Sequence, residues 1–102
     1  MNTVAFIIPC LNEEKTLSIV LDKINDIKKK YINNYTIEII VVDNGSTDNS
    51  VKIALDKNVT LVECEIKGYG AVLKKGIFYS KSDIIIFGDA DNTYNFNESI
   101  QF

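Results

Sequence analysis

Four short runs rich in β-branched and other apolar residues alternate with three amphipathic segments, and this alternation restricts the fold more than any other feature. The runs occupy residues 4–8, 37–42, 59–62 and 84–87. Runs of this kind are typical of strands buried on both faces of a parallel sheet. Between them, apolar side chains recur at helical spacing. The helical sets are Leu17, Val20, Leu21, Ile24 and Ile27, then Val51, Ala54 and Leu55, then Val72, Leu73, Gly76 and Ile77.

The alternation predicts an α/β fold, β-α-β-α-β-α-β, with a parallel sheet and helices on both faces. Crossovers between parallel strands are right-handed in nearly all proteins. In a doubly wound sheet of strand order 3-2-1-4, strands 1 and 4 are neighbours, and a crevice opens at their carboxyl ends. Polar residues concentrate in the loops after strands 1, 2 and 4. We therefore expect a ligand site where these loops meet.

Chain length, net charge and the lack of histidine restrict the possible functions further. The 102 residues fit one domain, residues 1–102. The net charge of −3 argues against a nucleic-acid partner, which usually needs a basic face. The basic run at residues 28–30 ends a predicted helix, where cations suit the helix dipole. Without histidine, acid–base chemistry must fall to carboxylates, lysine, tyrosine or a metal-bound group.

The cysteines and the apolar runs bear on location. Cys10 and Cys64 lack CxxC spacing, so no zinc site is expected. No cationic and apolar leader opens the sequence, and no apolar run reaches the roughly 18 residues of a membrane span. We expect a reduced, cytoplasmic chain.

The first polar motif is PCLNEE at residues 9–14. Pro9 is expected to end strand 1, and the turn leads into a helix whose first amides can face an anion. A strand stop followed by acids that favour the helix dipole explains the same residues. Both interpretations remain open.

The second motif is VVDNGSTD at residues 41–48. Gly45 permits a tight turn, and Ser46, Thr47 and Asp48 offer caps for the next helix, Ser46 among them in the turn itself. A turn with a cap explains residues 44–47 but gives Asp43, at the end of strand 2, no structural task. This favours a ligand contact for Asp43, to a base or a ribose.

The third motif, KGYG at residues 67–70, is neither a Walker loop nor a complete GxGxxG fingerprint. Lys67 near a phosphate and a plain helix start are equally good interpretations.

The fourth motif is Asp89-Ala90-Asp91, directly after strand 4. Two carboxylates at this spacing can hold one hard cation, Mg²⁺ or Mn²⁺, while a diphosphate supplies further oxygens. Ala90 keeps the backbone close to the ligand. A solvated acidic turn is the alternative.

In this order, the four motifs resemble family 2 of the nucleotide-sugar glycosyltransferases, whose fold is called GT-A. The resemblance extends from Val4 to about Phe96, and the residues after Asp91 are most similar to enzymes that charge dolichyl or polyprenyl phosphate with mannose or glucose. It implies a UDP- or GDP-linked sugar donor, Mg²⁺ or Mn²⁺, and a polyprenyl phosphate or sugar acceptor. Membrane association of a full-length relative is also implied.

The resemblance implies roles for individual residues. The nucleotide-contacting set is Pro9, Leu11, Glu13, Asp43, Lys67, Asp89 and Ala90. The resemblance also implies that Asp89 and Asp91 bind the metal, with Asp91 as the principal ligand. Two positions depart from the family. Asn44 replaces a second aspartate, and Leu11 replaces a frequent tyrosine, which weakens packing against the base.

Family members are considerably longer, and their second half supplies the acceptor site and the catalytic base. After the metal motif, Glu98 is the one carboxylate left as a possible base, but it lies in a tail without a clear pattern, and no catalytic base is assigned. We expect the N-terminal, donor-binding part of the GT-A domain, truncated after strand 4 and inactive alone. A half-enzyme completed by a partner chain and a non-catalytic nucleotide-binding or assembly module remain alternatives.

Strand 4 should lie at one margin of the sheet. Residues 84–87 carry no charge, and an uncharged open edge is a template for pairing with another strand. We expect a homodimer through this edge, or coverage of the edge by residues 92–102.

Overall fold

The computed structural model describes residues 2–91, which form a four-stranded parallel sheet with helices on both faces. The strand order is β3-β2-β1-β4, as the sequence predicted. The elements are β1 (Asn2–Cys10), α1 (Leu17–Lys30), β2 (Tyr35–Asp43), α2 (Ser50–Asp56), β3 (Thr60–Glu63), α3 (Tyr69–Ser80) and β4 (Ile84–Phe87).

The expectation that Pro9 ends strand 1 is wrong. β1 continues to Cys10, and Pro9 lies opposite Val42 of β2. The carbonyl of Cys10 accepts the amide of Asn44 on the β2 side, whereas the carbonyl of Ile7 accepts that of Gly88 on the β4 side. Pro9 lies two residues after Ile7, so its backbone groups point to the same side of β1. The N–H that proline lacks would therefore face β4. Pairing with β4 has already ended at Ile7, and the proline therefore breaks no ladder bond.

Alternate residues of β1 enter two separate apolar cores, which explains why its apolar run is continuous. Phe6 and Ile8 face α1 and α2, while Ala5 and Ile7 face α3. All five apolar residues predicted for the inner face of the first helix are buried. The basic run at residues 28–30 forms the last turn of α1, as expected.

The inner face of α3 is narrower than predicted. It buries Val72, Gly76 and Ser80, while Ile77 is 46% exposed. A Cβ at position 76 would lie 2.6 Å from Ile7 Cγ2, so glycine lets the helix approach the sheet closely. Because α3 contacts the sheet along the line of Val72, Gly76 and Ser80, the side chain of Ile77 points away from the sheet.

Helix α2 also buries less than predicted. Ala54 is buried, but Leu55 is 61% exposed, because a helix of seven residues presents few positions to the sheet. Cys10 and Cys64 are both buried and unpaired, and they belong to different cores. Across residues 2–91, no helix combines the length and the apolar character that a membrane crossing requires.

Candidate functional site

The loops at the carboxyl ends of the strands enclose a crevice of about 380 Å³. We call these the β1 loop (residues 11–16), the β2 loop (44–49), the β3 loop (64–68) and the β4 loop (88–91). The loops after strands 1 and 4 meet there, as the strand order predicted. The lining residues are Pro9, Cys10, Leu11, Glu13, Asn44, Lys67, Gly68, Tyr69, Val72, Asp89, Ala90 and Asp91.

Asn12 ties the β1 loop to the β2 loop. Its Oδ1 accepts the backbone amides of Thr47 at 2.8 Å and Asp48 at 3.3 Å. Its own amide donates to Ser46 Oγ at 2.9 Å. Asn12 has a φ of 54°, in the left-handed region that asparagine tolerates better than most residues. Asn12, the first residue of the Asn-Glu-Glu step, therefore builds the frame of the crevice.

Acidic side chains of the two loops cap each other's backbone. The Glu14 amide donates to Asp48 Oδ2 and the Asn49 amide donates to Glu14 Oε2, each over 3.1 Å. Asp48 Oδ1 also accepts the amide of Ser50 at 2.9 Å. Burial acts to raise the pKa of the Asp48 carboxyl, but hydrogen bonds from Ser50 and from the Glu14 amide outweigh it, so the pKa is lowered.

Asp43 has a structural task that the sequence did not reveal. Its buried carboxylate accepts the amides of Gly45 at 3.1 Å and Ser46 at 3.0 Å, together with the Ser46 hydroxyl at 2.5 Å. Within residues 2–91, Asp43 is not among the residues that line the crevice. Of the helix caps predicted at residues 46–48, the one at Ser46 is wrong because its hydroxyl binds Asp43, whereas Asp48 accepts the amide of Ser50, the first residue of α2.

Asn44 connects the β2 loop to the β3 loop. Its side-chain amide donates to the carbonyls of Cys64 at 2.9 Å and Ile66 at 3.0 Å. Its backbone carbonyl accepts Lys67 Nζ at 2.6 Å, which places the ammonium group in the crevice wall. Gly45 has a φ of 98°, as a tight turn requires, and a Cβ there would lie 2.5 Å from Lys67 Nζ.

Cys10 also lines the crevice, a position that its sequence pattern does not predict. Burial raises the pKa of its thiol and the nearby Asp43 carboxylate adds to that effect, outweighing hydrogen bonds that include one with Ser50. The raised pKa keeps the sulfur protonated near neutral pH, so Cys10 packs as a small apolar side chain rather than acting as a nucleophile.

The acidic motif lies in the β4 loop, and both of its aspartates line the crevice. Asp89 is half-buried, Ala90 is buried and Asp91 is exposed. The Gly88 amide donates to the Ile7 carbonyl at 3.1 Å, and Thr16 Oγ1 donates to the Ala90 carbonyl at 2.6 Å. Among residues 2–91, no group of three or more potential metal-binding side chains occurs. A cation held by Asp89 and Asp91 would therefore need further ligands from outside this part of the chain.

Most predicted site residues line this one crevice: Pro9, Leu11, Glu13, Lys67, Asp89, Ala90 and Asp91. The sequence missed other lining residues: Cys10, Asn44, Gly68, Tyr69 and Val72. Tyr69 is 57% exposed at the first position of α3. An aromatic residue between two glycines was the available signal for it. The candidate base Glu98 lies outside the described residues.

A parallel sheet of order β3-β2-β1-β4, with an acidic motif where the strand order reverses, is the Rossmann-like GT-A architecture. Residues 5–101 match glycosyl transferase family 2. The chain belongs to this family.

Two curated relatives illustrate the range of the family. Protein RfbJ of Shigella flexneri is 38% identical over 92 residues, covering 90% of this chain and 67% of the relative. The dolichyl-phosphate beta-glucosyltransferase of Mus musculus is 34% identical over 101 residues, covering 88% of this chain and 31% of the relative. The chain thus spans about two thirds of one relative and less than a third of the other.

Solved structures of glucosyl-3-phosphoglycerate synthase from Mycobacterium tuberculosis share the fold. The complex with Mn²⁺, UDP and glucosyl-3-phosphoglycerate has a TM-score of 0.75 and 29% identity, covering 87% of this chain and 33% of that one. The complex of the same enzyme with Mg²⁺ and UDP has a TM-score of 0.72 and 27% identity, at the same coverage.

Proposed function

We propose that this chain binds a UDP- or GDP-linked sugar in the crevice through Mg²⁺ or Mn²⁺, as the donor-binding part of a glycosyltransferase. One observation carries the proposal: Asp89 and Asp91 line the same crevice as Glu13 and Lys67. Family membership and the UDP complexes of a structural neighbour support it.

The charges of the crevice suit a metal diphosphate. Asp89 and Asp91 would repel a bare diphosphate, and they would hold a cation that bridges the protein and the ligand. The bound cation supplies charge neutralisation for the leaving diphosphate. Lys67, held by the Asn44 carbonyl, keeps further N–H donors for a phosphate oxygen.

The remaining walls suit the nucleoside. Leu11 and Tyr69 are 47% and 57% exposed and offer apolar and aromatic surface to a base. Tyr69 would compensate for the tyrosine that Leu11 replaces. Asp43 supports this region through the β2 loop, and its predicted contact with the base stays a proposal.

The reaction we propose is transfer of the sugar to an acceptor hydroxyl or phosphate, with polyprenyl phosphate or a sugar as candidate acceptors. The dolichyl-phosphate relative supports the lipid acceptor. Because the chain spans 31% of that relative, we expect donor binding without measurable transfer by the 102 residues. Turnover that is lost in Glu98→Gln would contradict this expectation and would identify the base.

Calorimetry tests the proposal directly. UDP, GDP and their sugars are titrated into the 102-residue chain with Mn²⁺ and, separately, with EDTA. We expect binding with the metal and much weaker binding in EDTA. Equal affinity under both conditions would exclude the metal-bridged site, and no binding in either would exclude the nucleotide site.

We also propose that the β4 edge pairs with a second copy of the chain. Within residues 2–91, β4 pairs with β1 alone, and Ile84, Ile85 and Phe87 are half-buried. Sedimentation combined with hydrogen exchange tests this proposal. Rapid exchange of the β4 amides in a monomer would contradict both pairing and coverage of this edge by residues 92–102.

A further inference from the structure

Thr16 lies at the N-cap of α1, where a threonine hydroxyl ordinarily accepts a hydrogen bond from the first helical turn. Its side chain makes no cap bond. Instead, Thr16 Oγ1 donates to the carbonyl oxygen of Ala90 over 2.6 Å. The hydroxyl therefore joins the β1 loop to the acidic motif of the β4 loop.

The carbonyl that Thr16 holds belongs to the peptide unit between Ala90 and Asp91. A peptide unit is planar, so fixing its oxygen fixes the orientation of the plane from which Asp91 departs. On the other side of the motif, the Gly88 amide donates to the Ile7 carbonyl at 3.1 Å. The backbone that carries the two acids is thus held before Asp89 and between Ala90 and Asp91.

Thr16 is itself held firmly. Its amide donates to the carbonyl of Glu13 and its carbonyl accepts the amide of Val20, each over 3.1 Å. The Glu13 amide donates in turn to Ser50 Oγ at 2.9 Å. The hydroxyl of Thr16 therefore extends the rigidity of the hydrogen-bonded β1 and β2 loops to the β4 loop.

We propose that Thr16 is a positioning residue for the metal-binding acids. Its hydroxyl holds the Ala90–Asp91 peptide so that Asp89 and Asp91 face one cation. The inference rests on the proposed function. Groups that orient the ligands of a metal typically contribute about 10–100-fold to metal affinity.

The test compares Thr16→Val, which keeps the shape but lacks the donor, with Thr16→Ser, which keeps the hydroxyl. Calorimetry with MnCl₂ and UDP, or GDP if GDP binds the wild type more tightly, measures the metal-dependent affinity. We expect a fall of roughly 10-fold or more in Thr16→Val and near wild-type affinity in Thr16→Ser. Metal-free binding of the corresponding nucleoside, followed by NMR, should be the same in both.

Thr3→Val is the matched control. The Thr3 hydroxyl donates to Asp83 Oδ2 at 3.2 Å and accepts the Asp83 amide at 2.9 Å, at the far end of the sheet from the crevice. Thr3→Val makes the same chemical change and also removes hydrogen bonds to Asp83, the residue before β4. We expect its metal-dependent affinity to equal that of the wild type.

Three outcomes would count against the inference. Equal metal-dependent affinity in wild type and Thr16→Val would overturn the positioning role while leaving the proposed function intact. If Thr16→Val loses metal-free nucleoside binding by the same factor as metal-dependent binding, the substitution distorts the whole crevice. That result would also overturn the positioning role. No metal-dependent binding in the wild type would overturn the proposed function and this inference together. If Thr16→Val does not fold, Thr16→Cys, whose thiol is a weak donor, takes its place.

Discussion

The β1 and β2 loops differ sharply from the β4 loop in how their polar residues are used. The side-chain oxygens of Asn12, Glu14 and Asp48 accept hydrogen bonds from backbone amides of the neighbouring loop. Asp89 and Asp91 line the crevice, on a backbone held through Gly88 and Thr16. The polar motifs therefore divide into residues that hold the loops together and residues that line the crevice.

The largest effect is expected where a frame residue is most buried. Asp43→Ala leaves the amides of Gly45 and Ser46 and the Ser46 hydroxyl without their acceptor. We expect the free energy of unfolding to fall by about 2–3 kcal/mol, measured by urea denaturation. Asp43→Asn, which keeps one acceptor oxygen, should lose less. A loss below about 1 kcal/mol in Asp43→Ala would show that water replaces the carboxylate.

The acidic motif should show the opposite behaviour. Asp91→Asn is expected to lower metal-dependent UDP affinity by at least about 10-fold, or roughly 1.4 kcal/mol. Because Asp91 is exposed, its substitution should change the free energy of unfolding by less than about 0.5 kcal/mol. Calorimetry and thermal denaturation of the same sample measure both quantities. A large drop in thermal stability without ligand would place Asp91 in the frame.

A smaller effect separates backbone strain from loop bonding at Asn12. Asn12 and Asn58 both have left-handed backbones, with φ values of 54° and 57°. Asn12 also accepts the amides of Thr47 and Asp48. Asn12→Ala should therefore destabilise the chain by about 1 kcal/mol more than Asn58→Ala. Equal losses in urea denaturation would mean that the loop bonds contribute nothing beyond the backbone conformation.

The smallest effect is a dependence on pH. The pKa of Asp48 is lowered in the folded chain, so its contribution to stability is present above the unfolded pKa of about 3.9. It is lost as the pH falls through the folded pKa. Asp48→Asn should therefore be less stable than the wild type near neutral pH, and the difference in Tm should shrink below about pH 4. A constant difference from pH 3 to pH 7 would contradict this linkage.

The two kinds of residue were not equally predictable. Asp89 and Asp91 are predicted to hold a cation because two carboxylates at this spacing can share one, and both residues line the crevice. Asp43 is predicted to contact a ligand because the sequence shows no structural task for it, yet its carboxylate closes a turn formed by the next three residues. A carboxylate beside an Asn-Gly turn has local amides to accept, and the sequence pattern does not show whether it turns inward or outward.

The sequence by itself determined the order of elements, the parallel sheet and the place of the crevice. Apolar periodicity and the chirality of crossovers are local or general properties, and they need no knowledge of side-chain contacts. Tertiary structure alone decided that Pro9 remains within β1 and that Thr16 binds the Ala90 carbonyl. Both depend on which neighbour a backbone group faces, and a contact between residues 74 positions apart leaves no periodic signal in the sequence.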